Sequence, residues 1–429
     1  MRILVFNHNL VEHGNYFRAL KFAQLLSLKG HNVSLITSSN RWYKTNKYFI
    51  GAVRVIESPS YSIILNNDSG WSPLGLLYRL WVVFKGKYDI VYGFSHKPID
   101  FIPAYVSKMF KGSFYITDWC DWYGKGGMFE HKDNLFRTDL KISKLRRFVF
   151  RIFDRIEEYL EELSPRKADF VTVICKALYN RAVSIGIKED KLLYLFSGAN
   201  IEDIKPMDKL TARSILNFKS LFKQPIDYEN HIFLVYIANY HPDEKLLLKA
   251  LSFVCSKEKN VTLLVVGPNF YISRSKIREL GLSILDFSSM SYSTSKNLED
   301  IQIVHFGRKP FREINTFLSA GDILLLPMSD IVFNRGRWPN KIGDYLAAGR
   351  PIVINNVGDI PGIIRDKKVG YIAEPNAEDF AEKIIQMIQD KNKWEEYGRN
   401  ARKIAETVLN WEQIGDKLYS KLKERIKNL

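Results

Sequence analysis

Short β-branched runs alternate with stretches whose apolar residues recur at helical spacing along almost the whole chain, the pattern of βα units feeding a parallel sheet. Ile3 to Phe6 reads as a strand, Tyr16 to Leu28 as a helix stopped by Gly30, and Asn32 to Thr37 as the next strand. The rhythm continues at Asp89 to Tyr92, Phe114 to Thr117, Phe170 to Ile174 and Leu192 to Leu195. It fails between residues 205 and 230, where Lys205-Pro206-Met207-Asp208 leads to Pro225-Ile226-Asp227. A second series follows: Ile232 to Ile237, Val261 to Val266 closed by Gly267-Pro268, Ile301 to His305 closed by Gly307, Asp322 to Leu326 closed by Pro327, and Pro351 to Ile354. Amphipathic segments near 376–390, 392–407 and 411–426 follow without a strand between them. The pattern therefore predicts two doubly wound, Rossmann-like α/β domains facing a cleft that the carboxyl ends of both sets of strands line. The expected bounds are 1–205 and 231–408, with a linker over 206–230 and a terminal helix over 409–429.

Composition narrows the class. The 429 residues are 46% apolar and 26% charged, which excludes a disordered chain and a small disulfide scaffold. Cys120, Cys175 and Cys255 are far apart in sequence and form neither a disulfide framework nor a zinc motif. The apolar start, Ile3 to Phe6, is shorter than the apolar stretch expected of a signal peptide, and no run reaches the ~20 apolar residues of a membrane span. The best candidate run, Leu74 to Phe84, contains Arg79. A cytoplasmic protein is the expectation. Net charge is +16, of which residues 1–205 carry +10. Such a surplus favours phosphorylated ligands, anionic membranes or nucleic acid, but no nucleic-acid-binding module is visible. Between Phe136 and Ile156, seven cations including Arg146, Arg147 and Arg151 interleave with apolar residues at helical spacing. That is the pattern of a helix lying on an anionic bilayer, or of a scaffold helix with solvated cations.

The most informative chemistry lies between Asn334 and Pro351. Pro339 suits the first turn of a helix that runs to Ala348 and stops at Gly349. Arg335, Arg337 and Lys341 cluster at its start, a candidate cradle for a diphosphate; Asp344, one turn on, is a candidate for ribose hydroxyls. The competing reading pairs these surface cations with Asp330 and Asp344. In the first domain, Gly14 opens the first helix and permits close approach of a phosphate, but no Gly-x-Gly-x-x-Gly occurs. The polar loop also carries His8 and His13. Asp118 and Asp121 follow a strand amid Trp119, Trp122 and Tyr123; carboxylates between indoles make a poor hard-cation cage, and the rings offer stacking to a sugar or packing to the core.

The segment Pro339-x-Lys341-x-x-Asp344-Tyr345-x-Ala347-x-Gly349-x-Pro351 resembles the donor-binding signature of family 4 of the retaining glycosyltransferases, which have the GT-B fold. Leu264 to Pro268, Val304 to Gly307, Ile323 to Pro327, Gly198-Ala199-Asn200 and Trp411 are similar to other landmarks of that family and occur in its order. The resemblance implies a nucleotide-sugar donor, UDP in preference to GDP, a lipid-linked or glycan acceptor, no metal or other cofactor, and a last helix that crosses back to the first domain. It implies roles as well: Lys341 with Arg337 or Arg308 offsetting leaving-group charge, Asp344 holding the ribose, and Asp118 orienting the sugar. Asn239, Lys245 and Asn340 join the donor side, and Asp121 and Trp122 the acceptor side. The family's first signature Glu falls on Gly336, so sugar recognition passes to Asp330, Asn334 or Arg335. In the retaining route, the donor phosphate itself takes the acceptor proton. Two other readings share the fold or the charge: a non-hydride sugar-nucleotide epimerase, and a non-enzymatic polyanion- or membrane-binding protein.

Overall fold

The computed structural model describes the chain except residues 40, 42, 43, 61–68, 131–143, 219–226, 228, 229, 240, 289–300 and 427–429; of residue 69 and residues 144–150 it describes the backbone. The chain divides into two compact units. The first comprises Met1–Ser197, Arg335–Trp338 and Trp411–Leu429, and the second Gly198–Asn334 and Pro339–Asn410.

In the first unit the elements run β1 (Arg2–Leu10), α1 (Tyr16–Leu28), β2 (Asn32–Ser38), β3 (Asn46–Ile50), β4 (Val53–Ser58), α2 (Pro73–Lys85), β5 (Ile90–Gly93) and α3 (Pro98–Lys111). Then come β6 (Phe114–Trp119), α4 (Lys144–Lys167), β7 (Phe170–Val173), α5 (Lys176–Ser184) and β8 (Leu192–Tyr194). The strands form one sheet in the order β3-β4-β2-β1-β5-β6-β7-β8, parallel except for the β3–β4 hairpin at its edge. Ile3, Leu4, Val5 and Phe6 of β1 are all buried, as a parallel strand covered on both faces requires. The hairpin escapes a search for apolar runs because β3 alternates half-buried and exposed positions.

The second unit opens with α6 (Lys209–Ile215) and continues β9 (Ile232–Ile237), α7 (Glu244–Lys257), β10 (Val261–Val266), α8 (Arg274–Glu279), β11 (Ile284–Asp286), β12 (Ile303–His305), α9 (Phe311–Ala320) and β13 (Ile323–Leu326). After α10 (Val332–Arg335), which straddles the two units, come α11 (Lys341–Ala347), β14 (Ile352–Asn355), α12 (Ile360–Ile364), β15 (Gly370–Ala373), α13 (Ala377–Gln389) and α14 (Trp394–Thr407). The sheet order is β11-β12-β10-β9-β13-β14-β15, all parallel. Its core joins the leucines and valines of β9 and β10 to α7 and α13.

The stretch expected as a linker contains α6, capped by Asp208, whose carboxylate accepts from Thr211 N at 2.8 Å. Lys209 and Arg213 of that helix pair with Asp322 at 2.7 and 2.8 Å, which ties it to the start of β13. The boundary between the units accordingly falls at Gly198, before the stretch that loses periodicity. Ala199 N donates to Leu409 O at 2.8 Å within the second unit. The last helix, α15 (Trp411–Arg425), belongs to the first unit: Trp411 meets Phe22 edge-on at 5.6 Å, and Gly415 lies against Leu25 of α1.

Arg79, which interrupts the apolar run on α2, is fully buried and pairs with Asp100 at 2.6 Å; Asp100 also meets His8 at 3.1 Å. His8 is therefore part of a core network and not merely a polar loop residue. Among the described residues no helix is long and apolar enough to cross a membrane.

Candidate functional site

In open α/β sheets ligands collect at the carboxyl ends of the strands. In the second unit, that edge carries the turn after β9, Gly267-Pro268 after β10, Gly307-Arg308 after β12 and the helix α11. Asn239 and Lys245 are exposed there, and the Arg308 guanidinium donates to Asn239 O at 3.3 Å. Lys341 opens α11 with its ammonium 4.6 Å from the centre of the Tyr236 ring, on β9. Tyr345, one turn later, accepts from Ile237 N at 3.0 Å and fixes α11 against β9.

Two histidines that the sequence reading did not single out stand behind this surface. His241 is fully buried and lies 2.6 Å from Pro268 O through Nε2. A carbonyl only accepts, so Nε2 carries the proton and Nδ1 is left as an acceptor. Burial pushes the His241 pKa down to about 4, and the nearby Lys341, His305 and Arg308 push the same way. His305 reaches Pro268 O at 2.9 Å and Asp286 at 3.1 Å. Together they hold the Gly267-Pro268 turn, where a Cβ on Gly267 would come within 2.2 Å of Ala238 O. The positions were visible only as His305 within Val304-His305-Phe306-Gly307 and His241 just after the β9 turn. Glu244, also buried, accepts from Tyr271 N at 2.7 Å, and its burial pushes the carboxyl up to about 7.

Asp344 lies one turn from Lys341. Its carboxylate accepts from Asn200 Nδ2 at 3.2 Å. Enclosure pushes its pKa up to about 7 against that bond, with Asp203 adding in the same direction, although the residue as a whole is only half-buried. The contact exists because α11 packs tightly on the segment bearing Asn200: a Cβ on Gly343 would fall 3.0 Å from Ala199 Cα and 3.1 Å from Gly198 O. Asn340, exposed, precedes the helix without a capping side-chain bond.

The three cations expected as a cradle at this helix start are divided between the two units. Arg335 and Arg337 lie in the segment Arg335–Trp338, which packs with the first unit, whereas Lys341 belongs to the second. Arg337 forms an antiparallel bridge with Asp121, and Trp122 N donates to Gly336 O at 3.0 Å. Trp338 stacks on Phe196 at 5.0 Å. Asn334, expected to help recognise a sugar, is fully buried and donates to Asp243 at 2.9 Å and Ser329 O at 2.8 Å; it braces the loop that leaves Asp330 exposed.

In the first unit, Gly14 has φ +54° and its Cα faces the Asn9 side chain, too close for a Cβ. Asn15 beside it donates to Phe94 O at 2.5 Å and accepts from Asn7 at 2.5 Å. The expectation that Asp118 reaches a sugar does not fit its surroundings. The carboxylate is buried, receives Arg18 on both oxygens at 2.9 Å and accepts from Thr172 at 2.5 Å, so it faces the core between β6, β7 and α1. Trp119 is likewise core, donating to Glu161 at 3.0 Å. Glu161, another residue the sequence reading missed, also accepts from Tyr123 N, Gly124 N and Arg181 at 2.8 to 2.9 Å and so shapes the loop bearing Trp122. The Arg181 guanidinium lies 4.4 Å from the centre of the Trp122 ring. Of the basic segment, Arg151 is exposed on α4, while the side chains of Arg146 and Arg147 lie outside the described residues.

Two doubly wound units, with the last helix returned to the first, define the GT-B fold. Within it, residues 217–404 match the family described as glycosyl transferases group 1. The chain is 31% identical over 111 residues to spore coat protein SA of Bacillus subtilis (strain 168), a stretch that is 24% of this chain and 29% of that protein. It thus spans less than a third of that relative. Among solved structures, sucrose-phosphate synthase from Thermosynechococcus elongatus superposes with a TM-score of 0.70 at 14% identity over 99% of this chain and 100% of its own. HepE of Anabaena, in complex with UDP and glucose, gives 0.65 at 14% identity over 99% and 100%. At these identities the structural likeness is one of fold.

Proposed function

We propose that the protein is a retaining glycosyltransferase that moves a sugar from a uridine diphosphate sugar to a lipid-linked or glycan acceptor. The observation that carries this reading is the pair Lys341 and Asp344, one turn apart on α11 at the carboxyl edge of the second sheet, inside the matched segment. Transfer breaks the bond from the sugar C1 to the diphosphate and forms one from C1 to the acceptor oxygen; the acceptor proton passes to the departing phosphate. The principal demand is then stabilisation of the leaving diphosphate's charge. Lys341 supplies it, with Arg308 at the same edge. Asp344 takes the ribose hydroxyls, which offset the cost of enclosing its carboxylate. Uridine is favoured because a neighbour of the same fold, HepE, holds UDP and glucose. No metal or other cofactor enters this reading.

The test is thermal melting against uridine and guanosine diphosphates and their sugars. A ligand at a hundred times its Kd adds about 2.7 kcal/mol to the native state. UDP and UDP-sugars should raise the midpoint, Lys341→Ala should remove that rise, and transfer should fall at least about a hundredfold. An unchanged UDP response in the Lys341→Ala variant overturns the site. Epimerised free sugar appearing without any acceptor overturns transfer in favour of epimerisation.

A further inference from the structure

Helix α2 exposes a continuous apolar stripe. Leu74, Leu77, Trp81 and Phe84 fall at intervals of three, four and three residues, within an arc of about 80° and over about 15 Å of helix. All four are exposed, Leu77 at 63% and Phe84 at 53%, while the opposite arc, Gly75, Arg79, Val82 and Val83, is buried. The end of α3 continues the patch with Met109 at 58% and Phe110 at 74%. A contiguous apolar surface of this extent on a water-soluble unit marks a partner.

The charges around it identify that partner. Lys85 lies 4.7 Å from the Trp81 ring centre. Lys111 donates to Phe84 O at 3.2 Å and lies 5.9 Å from that ring. Lys87 is exposed beside them. Among the described residues no carboxylate pairs with these three lysines; Asp89 is turned to Arg2 N at 2.7 Å, and Asp169 pairs with Lys108 at 2.6 Å. Long cations over aromatic rings at the rim of an apolar stripe match an interface whose depth is hydrocarbon and whose surface is anionic. A second copy of the chain meeting this face symmetrically would set the lysines against themselves.

We infer that the α2 stripe and the end of α3 dock on an anionic lipid bilayer. The contact is this surface and not the basic segment near Arg146. It goes beyond the transfer reading and needs no donor. It also suits a lipid-linked acceptor, because a crossover helix runs antiparallel to its strands and Leu74 therefore points toward the carboxyl edge of the first sheet.

The test is co-sedimentation of the full chain with vesicles of phosphatidylcholine alone or with one-third phosphatidylglycerol. The native chain should bind the anionic vesicles and release them at high salt. Leu77→Ser with Trp81→Ser should lower the partition coefficient about tenfold or more, and Lys85→Gln with Lys87→Gln about thirtyfold, at unchanged melting midpoints. If the serine pair fails to fold, the lysine pair alone decides. Arg151→Gln with Arg155→Gln on α4 should bind as the native chain does. Native binding by the α2 variants, loss confined to the α4 variant, or a dimer that the serine pair dissociates would each overturn the inference. These residues belong to the first unit and the donor edge to the second, so a failed UDP response and a failed vesicle response are separate results.

Discussion

Asp118 in the first unit and Asp344 in the second are both enclosed carboxylates, yet among the described residues one meets a guanidinium on both oxygens and the other a single amide. The first has every need met inside its own unit, so it orders β6 against α1 and offers nothing outward. The second bears a cost of enclosure that its partner does not cover, visible in the rise of its pKa to about 7. A carboxylate in that state is improved by hydroxyl donors from a ligand. Satisfaction, more than acidity or position, separates a structural carboxylate from a binding one.

Arg18→Ala gives the hardest test of this contrast. It leaves Asp118 buried without its counter-charge and should cost about 3–5 kcal/mol in urea unfolding, with UDP affinity of the surviving native fraction unchanged. A loss under about 1 kcal/mol would mean that the pairing with Arg18 is not what settles Asp118 in the core, erasing the difference. Gly343→Ala acts on the other side: its Cβ must displace the Gly198-Ala199 backbone, which should cost about 1–3 kcal/mol and move Asn200 off Asp344, weakening UDP binding. Unchanged stability and affinity would show that α11 is free to shift.

The smallest effect is the most specific. Because the folded-state pKa of Asp344 is raised above 3.8, its contribution to stability is full below that value and is lost as pH rises through about 7. Asp344→Asn should therefore raise the melting midpoint by a few degrees at pH 8 and by progressively less toward pH 5, while weakening UDP binding at every pH. A gain independent of pH would remove titration of Asp344 from the account.

Strand and helix identity along the chain was legible because buried parallel strands are unbroken apolar runs; β9, β10 and β13 could be read directly. The β3–β4 hairpin was not, since an edge strand half in water carries no such run. Helix α6 was missed for a different reason: a seven-residue helix held by Asp208 and by Asp322, more than a hundred residues away, has too little periodicity to detect. Lys341 and Asp344 could be read together because one helical turn joins them. What each carboxylate touches could not, because Asn200 lies 144 positions from Asp344, and Arg18 lies 100 from Asp118. Arg335 and Arg337 show the converse, neighbours in sequence to Lys341 that pack with the other unit.

The interleaving of the units also orders events during synthesis. The helix Trp411–Arg425, whose Trp411 meets Phe22 and whose Gly415 lies against Leu25, is made only after the intervening 198–410 stretch. At roughly 5–20 residues per second that is an interval of about 10–40 s. Throughout it, the face of α1 that Trp411 will cover lacks its partner, so the half of the protein that is translated first is completed last.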